Sequence, residues 1–183
     1  MHGEHSGMTI IPDTTDWTWV LQRSCPECGF DTQSVVVQTV PDLIVTNAAA
    51  WREVLTGPGD LRRRPEPGKW APVEYGCHVR DVFRLYDQRL ELMLTIHDPL
   101  FPNWDQDATA VADRYQDQDP ADVAAALSEA GQAIADRFAG VIGGQWQRTG
   151  RRSDGASFTV ETFARYFIHD PVHHLYDVTG QRS

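Results

Sequence analysis

His78, Asp170 and His174 have the side-chain types and spacing to hold a divalent cation. His78 lies in VEYGCHVRDV, and Asp170 and His174 form an i,i+4 pair in FIHDPVHHLYDV. Two imidazoles and one carboxylate on rigid supports can occupy one side of a cation and leave the other side open to a small-molecule substrate. Nothing else in the chain points as directly to a chemistry.

Four helical segments have to position these groups. The first spans roughly 33–56, where Val36, Val40, Leu43, Ile44, Ala48, Trp51 and Leu55 fall near helical spacing and Gly57 stops the pattern. Pro41 either kinks this helix or marks its real start. The second helix begins at Pro72, with Glu74 in its first turn, and runs to about Ile96. The third has Asp119 as cap, then Pro120, then Asp122, and continues to Gly143-Gly144. The fourth runs from about Thr159 to Val178 and ends at Thr179-Gly180. Strand signals are sparse, although WQRTGRRSDGASFTV has the makings of a short hairpin. The expected fold is all-α, a four-helix bundle with long crossover loops at 57–71 and 98–118. Loops that long usually carry function or cover a site. The expected organisation is an N-terminal extension over 1–32 containing a C-x-x-C pair, followed by the bundle over 33–183.

Helical phase selects among the histidines. On the last helix Val160, Phe163, Ala164, Phe167, Ile168, Pro171, Leu175 and Val178 share a broad apolar face; His174 lies within it and Asp170 at its edge. His169 and His173 match the familiar H-x-x-x-H spacing better, yet fall on the opposite side and are expected to face outward. A kink at Pro171 could rotate the following residues and bring His173 into play. On the second helix His78 stands near the edge of the face formed by Val79, Val82, Leu85, Tyr86, Leu90, Met93 and Ile96. A lone histidine there reads as a buried, hydrogen-bonded side chain. A second helix offering an inward His and Asp changes that, because burying all three without a cation leaves several polar groups unsatisfied.

Composition narrows the partners. With 26 acidic against 16 basic residues the formal charge is −10, which argues against nucleic acid and anionic membrane surfaces. No apolar run approaches the ~20 residues of a membrane helix. The start, MHGEHSGMTIIPDTTDW, lacks the basic and apolar stretches of a signal peptide, so a cytoplasmic location is expected. Arg62, Arg63 and Arg64 read as a solvated loop that could steer an anionic substrate. Trp17, Trp19, Trp51, Trp70, Trp104 and Trp146 read mostly as packing aromatics, some of them as pocket walls.

The three cysteines are an odd number and do not form a disulfide framework. Cys25 and Cys28, in SCPECGFD, resemble half of a zinc ribbon, but no second C-x-x-C exists. Cys77 or a histidine would have to complete the ligand set. Two reduced thiols or a local disulfide is the simpler expectation, and a redox pair is an alternative. Cys77 is expected to point off the core face and not to act as a nucleophile.

The W-x-P-x-E-x-x-x-H pattern of Trp70–His78 and the DPVHHLYD stretch of the last helix resemble the DinB-like superfamily. That group includes mycothiol-dependent maleylpyruvate isomerases and bacillithiol transferases. The resemblance covers about 36–179. It implies a four-helix bundle holding a divalent metal, zinc first and nickel, iron or manganese next, through His78, Asp170 and His174. It also implies a polar residue at Asp177 and a low-molecular-weight thiol as co-substrate. Ala71 departs from the usual Ser or Thr cap, and aspartate is less usual than His or Glu in the pair.

A metal with open positions can stabilise a thiolate or activate water. The expected function is therefore a metal-dependent thiol S-transferase, isomerase or hydrolase. The alternatives are a non-catalytic bundle whose surface binds a partner or a second copy as a homodimer, and a C-x-x-C redox protein.

Overall fold

A computed structural model describes residues 15–183 of the chain, so the first part of the 1–32 extension lies outside the described residues. The helices are α1 (Val40–Thr56), α2 (Pro72–Thr95), α3 (Gln106–Ala112), α4 (Pro120–Ala139) and α5 (Val160–Thr179). The bundle consists of α1, α2, α4 and α5. Helices α1 and α2 pack chiefly on α4 and on α5 rather than on each other, so the 57–71 connection crosses the bundle. Among the described residues no helix is long and apolar enough to cross a membrane.

Local chemistry explains the boundaries. Pro41 marks the true start of α1, since a proline in the first turn gives up only an N–H that would have had no partner. Residues 32–39 form short 3-10 turns instead of helix. Val36, expected on the apolar face, is therefore exposed, while Val35 and Val37 are buried. Asp119 caps α4 by accepting from the backbone N–H groups of Ala121 and Asp122, and the helix ends at Ala139, before Gly143. In the stretch read as a long loop, Asp105 caps the short α3 in the same way. A capping aspartate before an Ala-rich run was the sequence signal for it.

Three connections shape the functional face. Ala71 supplies no side-chain cap for α2. Glu74 does the work instead, accepting from the Ala71 N–H at 2.8 Å and from Arg64 at 2.8 and 2.6 Å. This pair clamps the 57–71 loop and sets Trp70 against His78. Strands β1 (Thr149–Arg151) and β2 (Ser157–Thr159) form the expected hairpin, with Gly150 opposite Phe158. Phe101 donates its N–H to the Arg151 carbonyl at 2.7 Å, which fixes the loop that carries Trp104. Segment 15–39 and the C-terminal residues cover α5: the Ser183 N–H reaches the Cys28 carbonyl at 2.9 Å, and Arg182 reaches the Pro26 carbonyl at 2.9 Å.

At Gly76 α2 passes close to the end of α1. A Cβ there would stand 2.8 and 3.0 Å from the two Leu55 methyl carbons. Gly76→Ala gains roughly 0.5–1 kcal/mol of helix propensity but overpacks a core at a cost of roughly 1–3 kcal/mol. A net loss of about 1–2 kcal/mol is expected in denaturant unfolding. A gain would mean that Leu55 turns aside freely.

Candidate metal centre

Helices α2 and α5 face each other across the bundle and bring His78, Asp170 and His174 together, with their donor atoms all within 4.8 Å of one another. His78 Nε2 lies 3.4 Å from Asp170 Oδ1, and His174 Nε2 lies 3.9 Å from Asp170 Oδ2. Two ligands held at about 2.0–2.1 Å in tetrahedral geometry stand about 3.3 Å apart, so the cluster is close to a cation-binding cup. His78 is 1% exposed, and both its ring nitrogens, like Asp170 Oδ1, lack a hydrogen-bond partner. The His78–Asp170 approach is close enough for charge attraction but not aligned as a hydrogen bond. A cation between His78 Nε2 and Asp170 Oδ1 would satisfy two of these three atoms.

The neighbours orient these groups. His78 is wedged between Trp104, stacked at 5.6 Å, and Trp70, edge-on at 5.5 Å. His174 Nδ1 bonds Asp177 Oδ2 at 2.9 Å, a carboxylate–imidazole contact that leaves Nε2 to face Asp170. Burial pushes the Asp170 carboxyl upward, but the His78 and His174 imidazoles outweigh it and hold the group well below the usual carboxylate range.

Asp170 and His174 border a cavity of about 400 Å³, walled by Trp17, Tyr86, Arg89, Trp104, Arg152 and Tyr166. Arg89 is 7% exposed, lies over the Tyr86 and Phe101 rings at 5.5 and 5.3 Å, and has no hydrogen-bond partner at Nε. Burial lowers its pKa, yet a guanidinium stays protonated. Arg152 is engaged by Asp154 and by the Tyr166 hydroxyl at 2.8 Å. Sequence reasoning passed over Arg89. Its signal was a cation three helical turns after His78 on the apolar stripe of α2.

Several expectations are corrected. His169 and His173 do not face outward; they are 4% and 6% exposed. The helical phase did put them on a different side of α5 from Asp170 and His174, but segment 15–39 covers that side. Helix α5 runs unbroken through Pro171, and the Asn47 and Trp51 side chains donate to the Pro171 carbonyl at 3.0 and 3.3 Å. Cys77 is fully buried, its thiol directed at the Tyr115 carbonyl, and burial pushes that thiol up to about 12. Arg64 is not solvated but buried against Glu74. Cys25 and Cys28 are buried free thiols, in line with the simpler expectation, and burial pushes Cys28 up to about 11.

A four-helix bundle with one inward histidine from its second helix and an Asp/His pair from its last is a scaffold built around a candidate cation cup. The chain belongs to the DinB superfamily, whose sequence model matches residues 45–178. A search of curated proteins finds no match. Among solved structures the chain is similar to YfiT from Bacillus subtilis, described as "a probable metal-dependent hydrolase with an unusual four-helix bundle topology". The TM-score is 0.75 at 16% identity, covering 91% of this chain and 95% of that one. At that identity the likeness speaks for the fold.

Proposed function

We propose that the protein is a divalent-metal-dependent enzyme acting on a small anionic substrate, with His78, Asp170 and His174 as ligands and zinc as the first metal. The observation that carries this reading is the buried, unpartnered His78 imidazole facing Asp170 at the edge of a cavity that also holds Arg89. A cation held there supplies the acidity that makes water or a low-molecular-weight thiol, such as mycothiol, nucleophilic near neutral pH. Hydrolysis follows from water, and transfer or isomerisation from the thiol.

The chain's own residues do the remaining work. Arg89, already desolvated and free at Nε, offers a charge-assisted donor to a substrate carboxylate or phosphate. Trp17 and Trp104 narrow the cavity and limit water at the reacting atoms. Asp177 keeps the His174 proton on Nδ1, away from Asp170. The description of YfiT as a probable metal-dependent hydrolase lends support to this reading.

The test is a panel of small anionic esters and amides, assayed with and without mycothiol, on chelator-treated protein before and after Zn²⁺, Ni²⁺, Mn²⁺ or Fe²⁺ is restored. Activity should vanish with chelation and return with one of the metals. Arg89→Met should raise KM for anionic substrates about 10–100-fold, the effect of losing a hydrogen bond to a charged group, with neutral analogues unaffected. Turnover that survives chelation would overturn the proposal.

A further inference from the structure

The neighbouring side of α5 carries a second cluster of donor atoms. Cys25 and Cys28 are 1% and 0% exposed, against 4% and 6% for His169 and His173. Cys25 Sγ lies 3.6 Å from His173 Nδ1, Cys28 Sγ lies 3.8 Å from His169 Nε2, and all four donor atoms fall within 4.8 Å of one another. With zinc–sulfur bonds of about 2.3 Å and zinc–nitrogen bonds of about 2.0 Å, a tetrahedron has sulfur–nitrogen edges of about 3.5 Å. The spacings are C-x-x-C and H-x-x-x-H, within the range of zinc sites built from two cysteines and two histidines. The turn between the cysteines is closed by the Gly29 N–H donating to the Cys25 carbonyl at 2.9 Å. Gly29 takes φ +83°, in the left-handed region that favours glycine. On its outer side, His173 Nε2 faces the Glu27 and Asp177 carboxylates, each at 3.8 Å. Metal-bound histidines commonly point their second nitrogen at such a carboxylate.

We propose that Cys25, Cys28, His169 and His173 form a structural zinc site that fastens the N-terminal segment across α5, separate from the His78/Asp170/His174 cup. Four protein ligands fill a tetrahedral shell and leave no position for substrate. Two thiolates select zinc over the harder cations that an imidazole–carboxylate set would accept. Two thiolates, two neutral imidazoles and Zn²⁺ sum to zero charge, which makes complete burial tolerable. Trp17 packs on the His169 and His173 rings at 5.6 and 5.0 Å and also walls the cavity. The zinc site thereby holds one wall of the cavity in place. Asp177 stands between the two clusters, bonded to His174 and facing His173.

Cobalt substitution of the full chain, purified without a His-tag, tests the site. The wild-type protein should show thiolate-to-cobalt charge-transfer absorption together with intense tetrahedral visible bands. His78→Ala, which removes a ligand from the other cup only, should keep that absorption. The Cys25→Ser/Cys28→Ser double variant should lose it together with one equivalent of metal. In case the double variant fails to fold, thiol labelling of wild-type protein gives a second readout. Cys25 and Cys28 should react at least tenfold faster after chelation. Absence of charge-transfer bands in the wild type, isolation of a zinc-free Cys25–Cys28 disulfide, or labelling rates indifferent to chelator would each overturn the site.

Discussion

His78→Leu is expected to abolish turnover while making the metal-free protein more stable. The imidazole is 1% exposed and both ring nitrogens lack a hydrogen-bond partner, so the apo fold carries two desolvated polar atoms offset only by the Nε2 approach to Asp170 at 3.4 Å. Leaving a buried donor or acceptor unsatisfied costs roughly 1–3 kcal/mol. Leucine is close in volume to histidine but carries no polar atom, and it would pack against Trp70 and Trp104, now 5.5 and 5.6 Å from the ring. Denaturant titration in chelator should therefore show a gain of about 1–2 kcal/mol over wild type under the same conditions. Metal analysis should show one equivalent lost, the one belonging to the His78/Asp170/His174 cup, and activity should fall by at least about 100-fold, more than the loss typical of an outer-shell substitution. Such opposed effects are what a functional site that strains its fold produces. A stability loss in chelator would show that His78 is a packing residue, and unchanged metal content would remove it from the ligand set.

Glu74→Ala is expected to be the most destabilising single change at the polar edge of the bundle. Glu74 and Arg64 have side chains 4% and 6% exposed and meet in a two-pronged contact at 2.8 and 2.6 Å. The same carboxylate takes the Ala71 N–H that would otherwise go uncapped at the start of α2. Removing it takes the carboxylate from a guanidinium whose side chain is 6% exposed, a loss of up to about 3–5 kcal/mol, to which the lost cap adds about 1 kcal/mol. The double variant Arg64→Met/Glu74→Leu should recover most of the ion-pair loss, because apolar replacement of both charges relieves the desolvation. The cap loss would remain. Thermal and denaturant unfolding of the three variants measures this directly. A mild Glu74→Ala phenotype would mean that Arg64 finds water. Glu74 lies one turn before His78, and the clamp sets Trp70 on that ring, so metal affinity should fall along with stability.

The bundle was legible because its signals are local. Pro72 with Glu74, Asp119 with Pro120 and Thr159 at the head of an apolar stripe are start signals whose physics operates within one turn. The inward phase of His78, Asp170 and His174 could be read for the same reason: a helix turns by a constant angle per residue, so a face deduced at Phe167 extends to His174. Membership of the DinB superfamily was readable from the same stretches around Trp70–His78 and DPVHHLYD. The short α3 was missed even though Asp105 signals it, because a seven-residue helix has too few apolar positions to establish a period.

The misplacement of His169 and His173 shows where this reasoning stops. Periodicity tells which side of α5 a residue occupies, but not whether another part of the chain lies over that side. His169 is separated from Cys28 by 141 positions and His173 from Cys25 by 148, and nothing in either stretch encodes the other's position. Arg64 and Glu74 were close in sequence, yet their pairing depended on how the 57–71 loop crosses the bundle. The sequence by itself determined the helices, their apolar faces and the grouping of His78, Asp170 and His174 between two of them, because hydrogen bonding and side-chain direction within a helix depend on near neighbours. Only the tertiary structure decided that Cys25 and Cys28 pack against His169 and His173, and that a cavity with Arg89 is lined by both pairs of α5 side chains, because burial is a property of what packs on a surface and not of the surface alone.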